Sequence, residues 1–97
     1  MKPIKMDATA RTPAVAFDFA ANRFALSGES YPEDVREFFD PLLDPFRTHL
    51  EETSGADIRF EVRLTYFNSA SSRILLEFID GLDDAAKRGN SVEIVWT

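Results

Sequence analysis

The densest run of reactive side chains in this sequence is Asn68-Ser69-Ala70-Ser71-Ser72, which follows directly on Tyr66-Phe67. Serine hydroxyls support nucleophilic attack, capping of a helix start, or acceptance of a phosphate. Attack needs an activating base, and the sole histidine, His49, lies in no suitable context; no G-x-S-x-G elbow surrounds these serines either. Capping fits Asn68 or Ser69, because a short polar side chain there can accept from the free N–H groups of the first helical turn. A phosphate fits the same place by the same physics, since those N–H groups and the positive end of the helix dipole favour an anion. It would add about −1.5 to −2 charges to the surrounding surface without unfolding the domain. From the residues alone, a capped helix is the plainer reading.

Other chemistry finds little support. With no Cys and one His, neither a disulfide framework nor a transition-metal site is expected. His49, near the end of a helical pattern, reads as a dipole-complementing residue. Gly28, Gly55, Gly81 and Gly89 are scattered and form no phosphate-cradling loop, so no cofactor is expected. Asp80, Asp83 and Asp84 fall on the wet side of a helix, and carboxylates in such positions are solvated rather than tuned for acid and base work. The net charge is −6, and the segment from Glu29 to Asp57 alone carries −7, so the basic stripe that nucleic acid requires is missing. An acidic helix of this kind either keeps the domain soluble or steers a basic protein partner.

The elements that must position the serine cluster follow from periodicity. Residues 1–12 read as a flexible N-terminal arm, and residues 13–97 as one domain. Val15, Phe17 and Phe19, then Phe24 and Leu26, alternate with smaller or polar residues around the turn Ala20-Ala21-Asn22, which predicts a hairpin. Ser27-Gly28-Glu29-Ser30-Tyr31-Pro32 breaks the second strand, and Ser30 with Glu33 has the spacing of a capping box. A helix is expected over 33–53, bent near Asp40 or restarted there, because Pro41 and Pro45 each remove a backbone donor. Ile58, Phe60, Val62, Leu64 and Tyr66 give a long strand with one wet face of Arg59, Glu61, Arg63 and Thr65. A second helix carries Ile74, Leu75, Phe78, Ile79, Leu82 and Ala86, and a last strand carries Val92, Ile94 and Trp96. The order β-β-α-β-α-β implies an α/β fold with a mixed four-stranded sheet and both helices on one face. The charged start of the chain and the lack of a long apolar window argue against export and membrane insertion, leaving the cytoplasm.

Two segments then bear a resemblance. Ser30-Tyr31-Pro32-Glu33 and Tyr66-Phe67-Asn68-Ser69-Ala70-Ser71, in this order and followed by the Leu75-Leu76-Glu77 helix, resemble the SiaC-like biofilm-regulatory phosphoproteins over roughly residues 12–97. That family is similar to anti-sigma-factor-antagonist (STAS-like) domains, so the resemblance implies a two-layer STAS-like fold. It also implies a non-enzymatic bacterial signalling switch, phosphorylated on the hydroxyl residue after the Asn of the second motif, here Ser69, with Ser71 and Ser72 as alternatives. A protein kinase adds the phosphate in the characterised branch and a PP2C-type phosphatase removes it, while the unphosphorylated protein binds and activates a diguanylate cyclase in c-di-GMP signalling. Tyr31, Pro32, Glu33, Tyr66, Asn68, Ser69 and Arg73 are the partner-binding residues so implied. The competing expectation is a constitutive adaptor in which Ser69 only caps its helix. This sequence has Ser where the best-known member has Thr, which keeps the hydroxyl. Relatives usually continue past the last tryptophan with an acidic stretch and a helix, so apolar surface is expected to be exposed there and a homodimer would hide it.

Overall fold

A computed structural model describes all of residues 1–97. Five strands form one sheet in the order β1 (Ile4–Met6), β2 (Ala14–Asp18), β3 (Arg23–Ser30), β4 (Asp57–Phe67) and β5 (Ser91–Trp96). The first three strands pair antiparallel, and β3, β4 and β5 run parallel. Helices α1 (Val35–Glu51) and α2 (Ser69–Lys87) make the two crossovers between parallel strands. Successive crossovers of one hand that advance the sheet in one direction place both helices on the same face.

The expected α/β order and one-sided cover are therefore present, but the sheet has five strands and not four. The additional strand lies inside the segment expected to be a loose arm: Ile4 pairs with Phe17 and Met6 with Val15. Its brevity and the missing apolar alternation in Lys2-Pro3-Ile4-Lys5 hid it. Only Ile4 packs against the core.

Burial follows the period-two pattern. Phe17, Phe24, Leu26, Phe60 and Val62 face the helices at 2% exposure or less, while Arg59 and Arg63 lie on the uncovered face. From the helices, Phe39, Leu43 and Phe46 of α1 meet Phe78 and Leu82 of α2 in the same core. Phe46 is its hub, with ring centroids 4.9 Å from Phe24, 5.0 Å from Phe78 and 5.7 Å from both Phe17 and Phe60. Over this core Glu77 of α2 joins both ends of α1, bonding Arg36 at 2.6 Å and Arg47 at 3.1 Å.

α1 departs from the sequence reading in two ways. Its cap is Asp34, whose carboxylate accepts from the Glu37 N–H at 3.1 Å; Ser30 is instead the buried last residue of β3. The helix runs unbroken from Val35 to Glu51 with Pro41 and Pro45 inside it, and Asp40 pairs with Arg36 rather than starting a new segment. The prolines stand four residues apart, on the side of α1 away from Phe39, Leu43 and Phe46, where the carbonyls they orphan can turn to water.

His49 lies at the far end of α1. Its Nε2–H donates to Asn22 Oδ1 at 2.7 Å, and its ring packs at 5.3 Å from Phe19 and 6.1 Å from Phe24. Burial against these rings, reinforced by the Met1 ammonium and opposed by Glu52, holds the imidazole below its ordinary value of 6.5. As pH falls, the unfolded chain takes up this proton before the folded one does. The His49 contribution to stability is thus full above about pH 6.5 and declines below it. Chemical denaturation between pH 7 and pH 5 should show wild type losing more stability than His49→Gln, and parallel curves would contradict this.

Candidate functional site

In a parallel arrangement the carboxyl ends of strands and the amino ends of the following helices gather at one edge of the sheet. Here that edge collects the end of β3 at Ser30, the end of β4 at Phe67, the end of β5 at Trp96 and the first turns of α1 and α2. The segment between β1 and β2 lies there too, since the Arg11 carbonyl accepts from the Tyr31 N–H at 2.8 Å and Arg11 pairs with Glu33 at 3.5 Å.

A local irregularity shapes this edge. Gly28 aligns with Leu64 but Glu29 with Tyr66, so Thr65 has no counterpart and the alternation of β4 reverses beyond it. Gly28 sits at φ +106°, a conformation open to glycine, and its carbonyl accepts from Thr65 Oγ1 at 3.2 Å. The reversal corrects the expectation that Tyr66 continues the core-facing row. Tyr66 is 54% exposed and lies edge-on to Tyr31 at 5.6 Å, whereas Phe67 turns toward Trp96 at 5.8 Å.

The start of α2 is fixed by a buried polar knot. The Ser30 carbonyl accepts from the Asn68 N–H at 3.1 Å and from Ser71 Oγ at 3.0 Å. With the Ser71 proton so used, Ser30 Oγ donates to Ser71 Oγ at 2.8 Å, and both serines are fully buried. Asn68 caps the helix, its Oδ1 accepting from the Ser71 N–H at 2.9 Å. The cap is thus Asn68, and Ser69 does not perform the capping role that the adaptor reading gave it.

The three hydroxyls of α2 consequently stand in different states. Ser71 Oγ is sealed inside the knot. Ser72 Oγ is half-buried and donates to the Ser69 carbonyl at 2.8 Å. Ser69 is exposed, and its hydroxyl has no hydrogen-bond partner in the protein. One turn on, Arg73 is exposed and takes part in no ion pair, and the first turn of α2 carries no acidic residue. At α1 the picture is reversed, for Glu33, Asp34 and Glu37 already crowd the helix start. Anionic charge is therefore compensated at the start of α1 and absent at the start of α2.

Of the residues singled out in the sequence, Tyr31 and Tyr66 are in contact, and Asn68 and Ser69 adjoin them along the chain at the end of β4. Pro32 and Glu33 border Tyr31 in the loop before α1, and Arg73 lies one turn along α2. Sequence reasoning gave Ser30 the role of a cap and not that of a buried anchor, and it passed over Arg11. Ser30 had a readable signal, because it falls two residues beyond Gly28 in the core-facing row of Phe24 and Leu26. Arg11 had none.

Fold and site define a small α/β protein whose candidate site offers the free Ser69 hydroxyl at a helix start, near the exposed ring of Tyr66. The sequence model described as SiaC family regulatory phosphoprotein matches residues 6–97, and the chain belongs to that family. It is a regulator and not an enzyme. An uncharacterized protein of Pseudomonas aeruginosa strain UCBPP-PA14 is 29% identical over 96 residues, covering 99% of this chain and 75% of that one. The crystal structure of apo-SiaC from Pseudomonas aeruginosa superposes with a TM-score of 0.91 at 29% identity, over 99% of this chain and 78% of that chain. SiaC in the crystal structure of the diguanylate cyclase SiaD with its activator SiaC, from the same organism, gives a TM-score of 0.86 at 28% identity, over 94% and 74% of the two chains. No helix of this chain is long and apolar enough to cross a membrane.

The polar knot separates the roles of neighbouring residues in a measurable way. Asn68→Ala should cost about 1 kcal/mol through the lost cap, and Ser71→Ala about 1 to 3 kcal/mol because Ser30 Oγ is left unpaired in the interior. Ser69→Ala should change stability by no more than about 0.5 kcal/mol. Urea unfolding of the three variants tests the order, which a Ser69→Ala cost equal to that of Asn68→Ala would reverse.

Proposed function

We propose that this chain is a phosphorylation-controlled activator of a diguanylate cyclase, acting in the bacterial cytoplasm in c-di-GMP and biofilm control. The observation that carries the reading is the free, exposed Ser69 hydroxyl on a helix start without acidic residues, in a chain whose fold matches SiaC, the activator of the cyclase SiaD. The unphosphorylated form binds the cyclase through Tyr31, Pro32, Glu33, Tyr66, Asn68, Ser69 and Arg73. A protein kinase places phosphate on Ser69 and a PP2C-type phosphatase removes it. The relation to STAS-like anti-sigma-factor antagonists belongs to the same reading, as another use of a hydroxyl that turns a binding surface on and off.

The physical basis is local. A phosphate of about −1.5 to −2 charges on Ser69 is tolerated by the first-turn N–H groups of α2, so the fold survives the modification. The exposed ring of Tyr66 and the Tyr31 loop, by contrast, would then border a dianion. A partner that desolvates these rings must also desolvate that charge, which costs binding energy that a neutral hydroxyl does not.

Titration calorimetry against a SiaD-type diguanylate cyclase, with cyclase turnover as a second readout, tests this. Ser69→Ala should bind and activate like wild type, and Ser69→Glu should bind at least about tenfold more weakly, the equivalent of about 1.4 kcal/mol, with an unchanged melting curve. Equal affinity of Ser69→Glu and wild type, together with no phosphate on Ser69 by intact-mass and peptide analysis of protein from the native host, would replace the switch with a constitutive adaptor.

A further inference from the structure

Seven of the eight arginines in this chain are engaged by other groups. Five meet carboxylates at 2.6 to 3.5 Å, and Arg23 and Arg88 donate to main-chain carbonyls. The guanidinium of Arg73 alone has neither an ion pair nor a hydrogen bond. The cause lies one turn further along α2. Glu77, four residues on, is the natural helical partner of Arg73, but it is drawn toward α1, where Arg36 holds it at 2.6 Å and Arg47 at 3.1 Å. That pair would also run in the weaker order, with the cation N-terminal to the carboxylate.

On the other side of Arg73 stands Ser69, four residues back and on the same flank of α2. Side chains on a helix lean toward its N-terminus, so the surface that Arg73 covers is the turn that Ser69 begins. Both residues are exposed, and the Ser69 hydroxyl bonds nothing. At this spacing their Cβ atoms stand about 5 to 6 Å apart, well within the joint reach of a phosphorylated serine and an arginine. Stability does not account for a cation here. Arg73 adds nothing to the core, and a helix favours positive charge at its opposite end.

We propose, resting on Ser69 as the phosphorylated residue of the switch, that the Arg73 guanidinium receives that phosphate through charge-assisted hydrogen bonds across one turn of α2. An anion four residues N-terminal to a cation is the favoured helical order, and the planar guanidinium fork matches two phosphate oxygens. The neighbouring hydroxyls lack this relation. Ser72 and Ser71 stand one and two residues from Arg73, where side chains diverge around the helix, and Ser71 is buried besides. The bond also bears on the partner. Phosphate then adds charge near Tyr66 and at the same time occupies the one arginine that the unmodified chain leaves free for a carboxylate of the cyclase. Both effects weaken the same complex.

Phosphoserine installed genetically at position 69 of the full chain tests the pairing without a kinase. Phosphorus NMR should place the second ionisation of the phosphate lower in the otherwise wild-type chain than in Arg73→Gln, by about half a pH unit or more, because a neighbouring cation favours the dianion. Arg73→Lys should restore part of that shift, as a point charge without the fork. In nitrogen–proton spectra the Nε–H of Arg73 should move when unmodified and phosphorylated chains are compared. Equal phosphate midpoints in the wild-type background and Arg73→Gln, or an Arg73 Nε–H that phosphate leaves in place, overturns the proposal. Neither readout depends on whether the native host phosphorylates Ser69, so failure of the pairing and failure of the switch are told apart.

Discussion

Burial of one sheet face under two helices is the constraint on which the rest of this structure depends. A chain of 97 residues has room for one core, and seven of its nine phenylalanines are spent filling it. Each fully buried phenylalanine contributes about 1.5 to 3 kcal/mol, against a backbone ordering cost of about 1 to 2 kcal/mol for every residue fixed. The margin is therefore narrow, and it explains the geometry around Phe46, whose ring meets those of β2, β3, β4 and α2 at 4.9 to 5.7 Å. Because both helices are committed to that face, the other face is left to Arg59, Glu61, Arg63 and their neighbours.

The end of the sheet that carries the candidate site is held by a link of a different kind. The Ser30 carbonyl takes two bonds from the start of α2, and the Ser30 and Ser71 hydroxyls are paired in the interior. Hydrogen bonds sealed from water resist the loss of either partner far more than exposed ones do, since the survivor pays full desolvation. The end of β3 and the beginning of α2 are thus tied directly to each other. Tyr31, which follows Ser30, and Tyr66, which precedes the cap by two residues, are consequently held ring to ring.

The sequence displayed whatever depends on periodicity. Element order, the one-sided sheet and the placement of Asn68 at a strand-to-helix junction follow from apolar spacing and from the short polar residues that end it. Features that depend on a single irregular contact were hidden. β1 rests on one apolar side chain, Ile4, and three residues cannot display an alternation. The reversal after Thr65 arises from a register shift against Gly28, which no local pattern in β4 announces, so Tyr66 read as core. The prolines of α1 misled in the opposite sense: local propensity demands a break, but the apolar stripe of Phe39, Leu43, Phe46 and Leu50 holds the helix together across them. Ser30 read as a cap because its spacing to Glu33 suits one, and tertiary burial took it instead.

The contrast between Ser69 and Ser71 shows what the proposed switch requires of a fold this small. The two hydroxyls are two residues apart on one helix, chemically identical before folding. Folding commits Ser71 to the knot, where a charge could be added only by breaking bonds that locate the helix. Ser69 is committed to nothing, as its neighbour Asn68 supplies the cap and Ser72 bonds only its carbonyl. A hydroxyl that makes no internal hydrogen bond can be modified without breaking one. Its position is the head of α2, where no acidic residue stands in the first turn and the dipole and N–H groups favour negative charge. In the proposed switch, stability and signalling are divided between adjacent residues, and the division rests on Asn68: were the cap carried by Ser69 instead, modification and unfolding would be coupled.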